Sequence, residues 1–236
     1  MPSQFDVIDR EIPVKGKCYL ICRVFDPADF SDALAGLTET AFRRGAAQVY
    51  AACRDKAASL PGDGFDAGQW RFTYDGDFYL LYKDLTDPPN GTAPRALSTK
   101  PLRAGNAMLF RALYNEAFFS VPNSSTMDEA ETEGLLKDDA HICGFFMEGG
   151  MPVGVYQLSM GEEPPEIAVV AVSRDFQGRG YGRRALQTLE NILLQRGCRR
   201  TKLLVSSRNE AAMGLYRAAG YGQAVRHSTW YRTDAK

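Results

Sequence analysis

The sequence predicts a mixed α/β protein, and three observations point to that class. Short runs of β-branched and aromatic residues alternate with longer segments in which apolar residues recur at helical spacing. Glycine and proline mark many of the junctions between these segments. The composition, 44% hydrophobic and 24% charged over 236 residues, is that of an ordinary globular protein, long enough for one large domain or two small ones.

Charge and reactive side chains exclude several classes of function. A formal net charge of -1 provides no basic field for binding nucleic acid. The five cysteines are scattered without a Cys-x-x-Cys pair, as expected of buried thiols in a reducing compartment. His141 and His227 are the only histidines, too isolated for a metal site or a Ser-His-Asp relay, so we expect no metal.

The sequence shows no sign of a membrane segment. No apolar run approaches the length needed to span a bilayer. The residues after Met1 lack the charged and apolar regions of a signal peptide. We therefore expect a cytoplasmic protein without a membrane partner.

The clearest break in the chain is the segment Thr86-Asp-Pro-Pro-Asn-Gly-Thr-Ala-Pro94. Adjacent prolines followed by Asn-Gly do not fit inside a helix or a central strand. The sequence therefore predicts a smaller α/β domain over residues 1–86, a linker over 87–95 and a second domain over 96–236.

The first half carries strand, helix, strand and hairpin signals in that order. The predicted elements are a strand over Lys17–Val24, a helix from Asp26-Pro27 to about Arg44, a strand over Gln48–Cys53, and a hairpin of residues 69–74 and 78–85 around Asp75-Gly76-Asp77.

The second half alternates between helix and strand signals. The strand over Glu166–Val172 is mostly apolar and β-branched, so we expect it to be central. The helix after it has one apolar face and ends before Gly197. The predicted set is helices 107–119 and 127–136, strands 141–147, 153–159 and 166–172, helix 183–196, strand 202–206, helix 209–219 and strand 221–231.

A glycine-rich turn separates the central strand from the helix that follows it. Gly178, Gly180 and Gly182 remove side chains there, so that N–H groups at a helix N-terminus can approach an anion. Their order is not the Rossmann Gly-x-Gly-x-x-Gly, and the Gly-Lys-Ser/Thr of a P-loop is absent. A turn kept only for tight packing stays an alternative.

Two segments together resemble the GNAT superfamily of N-acetyltransferases. Gln177-x-x-Gly180-x-Gly182 is similar to the family signature Gln/Arg-x-x-Gly-x-Gly/Ala. The stretch from Asn209 to Tyr221 resembles the family's Asn-x-x-Ala-x-x-Leu-Tyr-x-x-x-Gly-Phe, at the separation that the family requires. The resemblance covers residues 96–236. It implies a GNAT fold in the second domain, acetyl-CoA as cosubstrate and acetyl transfer to an amine.

The same resemblance assigns roles to residues that would hold the cosubstrate. Two parallel strands, 167–172 and 202–206, would splay apart to admit the pantetheine arm, which would pair with the backbone of Val170 and Val172. Asn209 would reach that arm or position the last helix. Pyrophosphate binding would fall to the backbone of seven consecutive residues: Gln177, Gly178, Arg179, Gly180, Tyr181, Gly182 and Arg183.

The two catalytic candidates are Glu166, as general base, and Tyr216, as proton donor to the CoA thiolate. Glu166-Ile167 precedes Gln177 at the spacing of a Glu-Ile in the histone-acetylating branch of the family. A base is useful because only about one lysine-like amine in 2,500 is neutral at pH 7. The alternatives are an exposed strand-end carboxylate for Glu166 and a core aromatic for Tyr216.

Charged residues elsewhere in the second half suggest less. The basic set Arg196, Arg199, Arg200 and Lys202 is expected to be solvated surface. Acceptor choice is expected from the first two helices of this half and the loop after Phe119, where Asp128, Glu129, Glu131 and Glu133 would suit a cationic amine; a solvated helix face is the alternative.

Two functions compete. One is an active N-acetyltransferase with a small-molecule or peptide amine as acceptor and no nucleic-acid partner. The other is a catalytically silent acyl-CoA-binding module. A homodimer is left open.

The first half resembles a degenerate partial copy of the second. Residues 37–45 match 189–197, and residues 48–54 match 202–208, with Asp55 in the place of Asn209. In place of a glycine turn, the first copy has a loop, residues 25–30, whose two carboxylates would repel a pyrophosphate. A recurring helix-glycine-strand order in α/β proteins is the alternative. We expect this half to be structural and non-catalytic.

Overall fold

The computed structural model describes residues 2–54, 60–86 and 96–235, and these ranges contain eleven strands and six α-helices. In chain order the elements are β1 Gln4–Ile8, α1 Ile12–Lys15, β2 Lys17–Val24, α2 Phe30–Arg43, β3 Gln48–Cys53, β4 Gly64–Ala67, β5 Trp70–Asp84, β6 Ser98–Pro101, α3 Ala107–Phe118, α4 Glu129–Lys137, β7 His141–Glu148, β8 Met151–Ser159, β9 Glu166–Val172, α5 Tyr181–Gln195, β10 Arg200–Ser206, α6 Glu210–Ala218 and β11 Gly222–Asp234.

The chain forms two compact units that are not consecutive stretches of sequence. Unit 1 comprises Met1–Tyr79, Ser206–Arg208 and Arg226–Lys236, and unit 2 comprises Leu80–Val205 and Asn209–Val225. The predicted linker over 87–95 lies outside the described residues, as does Asp55. The division into 1–86 and 96–236 therefore stays a prediction.

Unit 1 is built on the parallel pair β2 and β3, which are connected through α2 and joined by six consecutive residue pairs. β1 lies antiparallel on β2, and the end of β11 lies antiparallel on β3. One face of this sheet packs on α2 around Leu34, and the other holds Tyr19, Tyr50 and Trp230. Because both faces are covered, β2 is buried without interruption from Cys18 to Cys22.

Unit 2 contains a mixed sheet in the order β6-β7-β8-β9-β10-β5. β6 to β9 pair antiparallel, and β10 is parallel to β9. One face packs on α3, with Phe110 against Phe145, Val155 and Val169. α5 also packs on β9 and buries Leu186 and Leu189. The predicted mixed α/β class is confirmed.

Helix α5 illustrates why periodicity predicted the helices of unit 2 closely. Its buried positions recur at helical spacing, from Ala185 to Leu193. The helix ends before Gly197, which has φ of 82°, and the N–H of Cys198 donates to Leu193 O at 3.0 Å. Such local signals place a helix to within a turn.

The predicted hairpin around Asp75-Gly76-Asp77 is wrong. Residues 70–84 form one long strand, β5, and the turn lies earlier, at Gly68 between β4 and β5. A Cβ on Gly76 would lie 3.1 Å from Ser207 Oγ, and the N–H of Ser207 donates to Asp77 O at 2.7 Å. The absence of a side chain at Gly76 therefore lets the segment at Ser207 approach β5 closely within unit 1, and Gly76 does not form a turn.

Other differences are at element ends and edges. α2 begins at Phe30 and not at Asp26, because Asp26 Oδ1 accepts from Ala28 N at 2.9 Å and forms a local turn ahead of the helix. β1, α1 and β6 were not predicted; they are short, and β1 and β6 are edge strands with weak apolar patterns.

Candidate active site

Strands β9 and β10 run parallel but are joined by a single residue pair. Glu166 of β9 pairs with Lys202 of β10, and Lys202 N donates to Pro165 O at 3.1 Å. No further register joins the two strands in the described chain, so they separate toward Val172. We call this opening the wedge. Val170 and Val172 lie on β9 beyond that pair and are half-buried.

An irregularity in β9 lies beside the wedge. Along β8, Gln157 pairs with Val169, but the next residue, Leu158, pairs with Ile167. Ala168 is therefore an extra residue in β9, a β-bulge. Because side chains alternate along a strand, one extra residue moves every residue before it to the opposite face of the sheet.

The bulge decides the face on which Glu166 lies. Glu166 pairs with Ser159, so it shares the face of Ser159 and of Gln157 two residues earlier. This is also the face of Val169, which packs against Phe110 of α3. The candidate base is thus on the α3 side of the sheet, at the closed end of the wedge.

Glu166 is half-buried, and its surroundings act on its ionisation in opposite directions. Burial raises the pKa of the Glu166 carboxyl above its ordinary value, the ammonium of Lys202 lowers it, and the carboxylate of Glu162 raises it again. The net direction is upward. A carboxylate with a raised pKa is better matched to accepting a proton near neutral pH.

The turn between β9 and α5 is bent by two glycines. Gly178 has φ of 71° and Gly180 has φ of 81°, in the region that favours glycine. Glycine is needed at position 182 for a different reason. Gly182 lies in the first turn of α5, where a Cβ would stand 3.1 Å from Leu215 Cδ2. The third glycine therefore allows α5 to approach α6.

The same turn presents unpaired N–H groups at a helix N-terminus. The first bond closing α5 runs from Arg184 N to Gly180 O, at 3.3 Å. The N–H groups of Tyr181, Gly182 and Arg183 precede it, so the helix offers them no acceptor. Residues 177–180 are exposed, and no side chain covers the backbone at Gly178 and Gly180. This cradle fits a phosphate or pyrophosphate.

Some side chains around the turn hold it in place, and others expose a positive charge to solvent. Gln177 Nε2 donates to Val172 O at 2.8 Å, so this side chain ties the turn to the end of β9. Arg184 binds Glu148 at 2.7 Å and stacks over Tyr181 at 5.0 Å. Arg179 and Arg183 are both exposed, and their charges remain available to an anion.

Helix α6 carries the other two predicted residues. Asn209 is its N-cap, and Oδ1 accepts from Ala212 N at 3.1 Å, so this side chain positions the helix. Tyr216 is half-buried, 6.0 Å from the ring of Tyr221, and burial raises its pKa to about 12. Among the described contacts, no hydrogen bond joins Tyr216 to Glu166.

A pocket of about 280 Å³ lies between α3, α4 and β8. Gln157 forms part of its wall and lies two residues before Ser159, the cross-strand partner of Glu166, so both side chains are on the same face. The pocket therefore lies on the same face of the sheet as the candidate base. Its lining is Tyr114, Ser125, Thr126, Met127, Glu131, Gly134, Leu135 and Gln157.

Most of the acidic side chains of α4 are engaged elsewhere. Glu129 faces Arg111 at 3.7 Å, and Glu133 faces Lys137 at 3.4 Å. Glu131 lines the pocket while its Oε2 also accepts from Asp128 N at 3.0 Å, in a capping box. One of the four predicted acidic residues thus reaches the pocket.

The described residues hold neither a membrane-spanning helix nor a metal-ligand cluster. Within 2–54, 60–86 and 96–235, no helix is both long and apolar enough to cross a membrane. The same ranges contain no group of three or more His, Cys, Asp and Glu side chains placed to hold a metal ion.

The family model described as "Acetyltransferase (GNAT) family" matches residues 108–221. The match includes the pocket, the bulged strand β9, the glycine turn and α6. Residues 108–221 belong to the GNAT family.

Similarity to individual proteins supports the same assignment. A mycothiol acetyltransferase of Corynebacterium jeikeium (strain K411) is 32% identical over 103 residues. Those residues are 44% of this chain and 30% of that relative, so the match spans less than a third of the relative's length.

Two solved structures share the fold over nearly the whole chain. A GCN5-related N-acetyltransferase from Sphaerobacter thermophilus superimposes with a TM-score of 0.61 at 20% identity, covering 98% of this chain and 76% of that one. A conserved protein of unknown function from Staphylococcus epidermidis gives 0.57 at 12% identity, covering 100% and 92%. The predicted GNAT fold is confirmed. Duplication within the chain stays a prediction.

The GNAT domain also contains site residues that sequence analysis missed. Lys202, expected on a solvated basic face, is 8% exposed because it stands inside the buried run of β10 and is paired with Glu162. Gln157 was not singled out, although a polar residue within an otherwise apolar strand was a usable signal. The bulge that orients Glu166 left no signal in the local pattern.

Proposed function

We propose that this chain transfers the acetyl group of acetyl-CoA to a primary amine. The observation that carries the proposal is the wedge, which runs from the Glu166–Lys202 pair to the glycine turn at Gly180. One end holds a half-buried carboxylate and the other an anion cradle. A thioester whose carrier ends in a pyrophosphate matches that order of groups.

In this proposal the glycine turn binds the pyrophosphate. The N–H groups of Tyr181, Gly182 and Arg183 donate to its oxygens, and the positive end of α5 adds a favourable field. Arg179 and Arg183 neutralise further charge from the solvent side. The side chain of Gln177 contributes by holding the turn to Val172.

The wedge receives the extended pantetheine arm. Beyond Lys202, β10 no longer occupies the edge of β9, so the main-chain groups of Val170 and the N–H of Val172 can bind an extended chain as a neighbouring strand would, while Val172 O already accepts from Gln177 Nε2. This step needs no side chain, which is consistent with the apolar sequence of β9.

Glu166 accepts the proton of the attacking amine. At pH 7 an amine of pKa about 10.4 is neutral only at a cost of about 4.6 kcal/mol, so a nearby base speeds the reaction. Glu166 lies on the same face of the sheet as the pocket, and the upward shift of its pKa brings it closer to the pKa of the amine. The acetyl group is supplied by acetyl-CoA as an activated thioester.

Tyr216 serves the leaving thiolate as a hydrogen-bond donor. With a pKa of about 12 its hydroxyl stays protonated at neutral pH. A thiol of ordinary pKa, about 8.5, is far more acidic, so complete transfer from Tyr216 to the thiolate is unfavourable. Donation to a charged sulfur stabilises the thiolate without requiring that transfer.

The acceptor enters from the α3 side, through the pocket. Gln157 and Glu131 provide an amide and a carboxylate, while Tyr114, Met127 and Leu135 provide apolar contact. A small amine with a cationic group and an apolar body fits this lining. A peptide amine stays within the proposal.

The competing function is a silent acyl-CoA-binding module. The two are separated by incubating the protein with acetyl-CoA and ethanolamine, glucosamine, phenethylamine, spermidine or a lysine-containing peptide, and measuring free CoA thiol. We expect amine-dependent thiol release that Glu166→Gln lowers. Tight acetyl-CoA binding with no release above the amine-free rate for any of these amines would favour the silent module.

A further inference from the structure

Lys202 occupies an unusual position for a lysine. It is almost fully buried, at 8% exposure, at the single pair that joins β9 to β10. Its Nζ forms an ion pair with Glu162, in the loop before β9, whose side chain is 69% exposed. Its partner across the strands is Glu166, and paired residues carry their side chains on the same face. One ammonium therefore stands beside two carboxylates.

A buried ion pair such as that of Lys202 with Glu162 contributes little to folding stability. Burying an ammonium is costly unless a partner compensates for the lost solvation. An exposed pair such as Glu133 with Lys137 on α4 avoids that cost. The placement of the Lys202 charge at the closed end of the wedge, next to the candidate base, therefore calls for a role in the site.

We propose that Lys202 is a positioning residue that sets the ionisation of Glu166, and that Glu162 competes with Glu166 for its charge. The inference rests on the proposed function for its consequence in catalysis. The ionisation of Glu166 is measurable without a substrate, so the two can fail separately.

The charges facing Glu166 predict opposite effects for the two neighbours. From β10, the ammonium of Lys202 favours the carboxylate form; from the preceding loop, Glu162 disfavours it. From β8, Ser159 offers an uncharged hydroxyl, and beyond it His141 is bonded to Asp138 at 2.8 Å. Removing Lys202 should therefore raise the pKa of Glu166, whereas removing the charge of Glu162 should lower it.

The direct test is a carbon-13 NMR titration of the carboxyl groups in glutamate-labelled protein, with the Glu166 resonance assigned from Glu166→Gln. Lys202→Met is expected to raise the pKa of Glu166 by about one unit or more, within the range of a close opposite charge. Glu162→Gln is expected to lower it. Lys202→Arg keeps the charge and should restore a value near that of the parent.

Matched controls come from the exposed pair on α4. Lys137→Met and Glu133→Gln make the same chemical changes away from the wedge and should leave the Glu166 resonance unmoved. Thermal melts by circular dichroism show whether each variant is folded. Shifts of the same sign in Lys202→Met and Glu162→Gln, or shifts no larger than those of the controls, would overturn the inference.

The activity arm separates this inference from the proposed function. If Glu166 is the base, the acid limb of kcat/KM for an amine should move up in pH in Lys202→Met and down in Glu162→Gln, by the same amount as the NMR pKa, while the KM for acetyl-CoA is unchanged. NMR shifts with a fixed acid limb support the role of Lys202 and remove Glu166 as the base. If the acid limb of kcat/KM moves in pH while the NMR pKa of Glu166 does not change, Lys202 does not have the proposed role.

Discussion

Leu215 of α6 lies against Gly182 of α5, so that a Cβ added to the glycine would stand 3.1 Å from Leu215 Cδ2. The two motifs that the sequence analysis treated as separate signals therefore meet at a packing contact. This contact sets how closely the helix bearing the anion cradle approaches the helix bearing Tyr216.

The first prediction tests that contact with a double-mutant cycle. Gly182→Val would force a branched side chain into Leu215 and is expected to cost about 1–3 kcal/mol of unfolding free energy. Leu215→Ala makes room, so the double variant should be more stable than the sum of the single effects predicts. Urea denaturation of the four proteins gives the coupling. Strict additivity would show that the two residues do not restrain each other.

The second prediction concerns the anion cradle. Gly180→Glu places a carboxylate where a pyrophosphate is proposed to bind and should weaken acetyl-CoA binding at least tenfold, because like charges repel in a site that offers N–H groups to an anion.

The other end of the same helix provides the control. Gly197 has φ of 82° against 81° for Gly180, and a Cβ added at either glycine would have no atom within 4 Å, so Gly197→Glu carries the same backbone strain and charge. Calorimetry with acetyl-CoA should show normal binding in Gly197→Glu. Equal losses in both variants would argue against the cradle.

The third prediction concerns Tyr216→Phe. Only the hydrogen bond to the leaving thiolate is removed, so kcat is expected to fall about 10- to 100-fold with little change in acetyl-CoA affinity. Because burial raises the pKa of Tyr216 to about 12, the parent should show no alkaline limb from this hydroxyl between pH 6 and about 10. Steady-state rates and calorimetry check both points. An unchanged kcat, where chemistry limits the rate, would leave Tyr216 as a packing residue.

The fourth prediction is a pH dependence. Glu166 acts as a base only above its own raised pKa, so kcat/KM of the parent should fall as the pH drops through that value. Glu166→Gln should flatten this limb and lower the rate most near neutral pH. Near the amine's own pKa of about 10.4 the variant should approach the parent, because the amine deprotonates unaided. A parent-like profile in the variant would remove Glu166 from the mechanism.

The fifth prediction is the number of CoA sites. β2 and β3 of unit 1 remain paired over six residues, whereas β9 and β10 share one pair, so the parallel strands of unit 1 leave no comparable opening. Calorimetry should therefore give one CoA bound per chain, abolished by Gly180→Glu. A second binding event that survives this substitution would show that unit 1 has a cofactor site of its own.

Local sequence was sufficient for features that depend on near neighbours along the chain. The amphipathic face of α5 and the glycine that ends it follow from residue spacing within one helix. The central strand at residues 166–172 follows from its own run of apolar and β-branched residues. Gly178 and Gly180 were identifiable because a tight turn needs backbone conformations that glycine adopts readily. The family resemblance rests on these same short segments.

Tertiary structure decided the features that depend on which strand lies beside which. The bulge at Ala168 exists only in the register between β8 and β9, yet it moves Glu166 to the face of the pocket. Lys202 looked like one of several surface cations until its pairing with β9 buried it. Gly76 was predicted to form a turn because the actual need for glycine there, the close approach of Ser207, involves a residue distant in sequence and leaves no local signal. The periodicity of a helix is visible in a short stretch of sequence, whereas the register of a strand is set by pairing with residues distant in sequence. The candidate site depends on strand register.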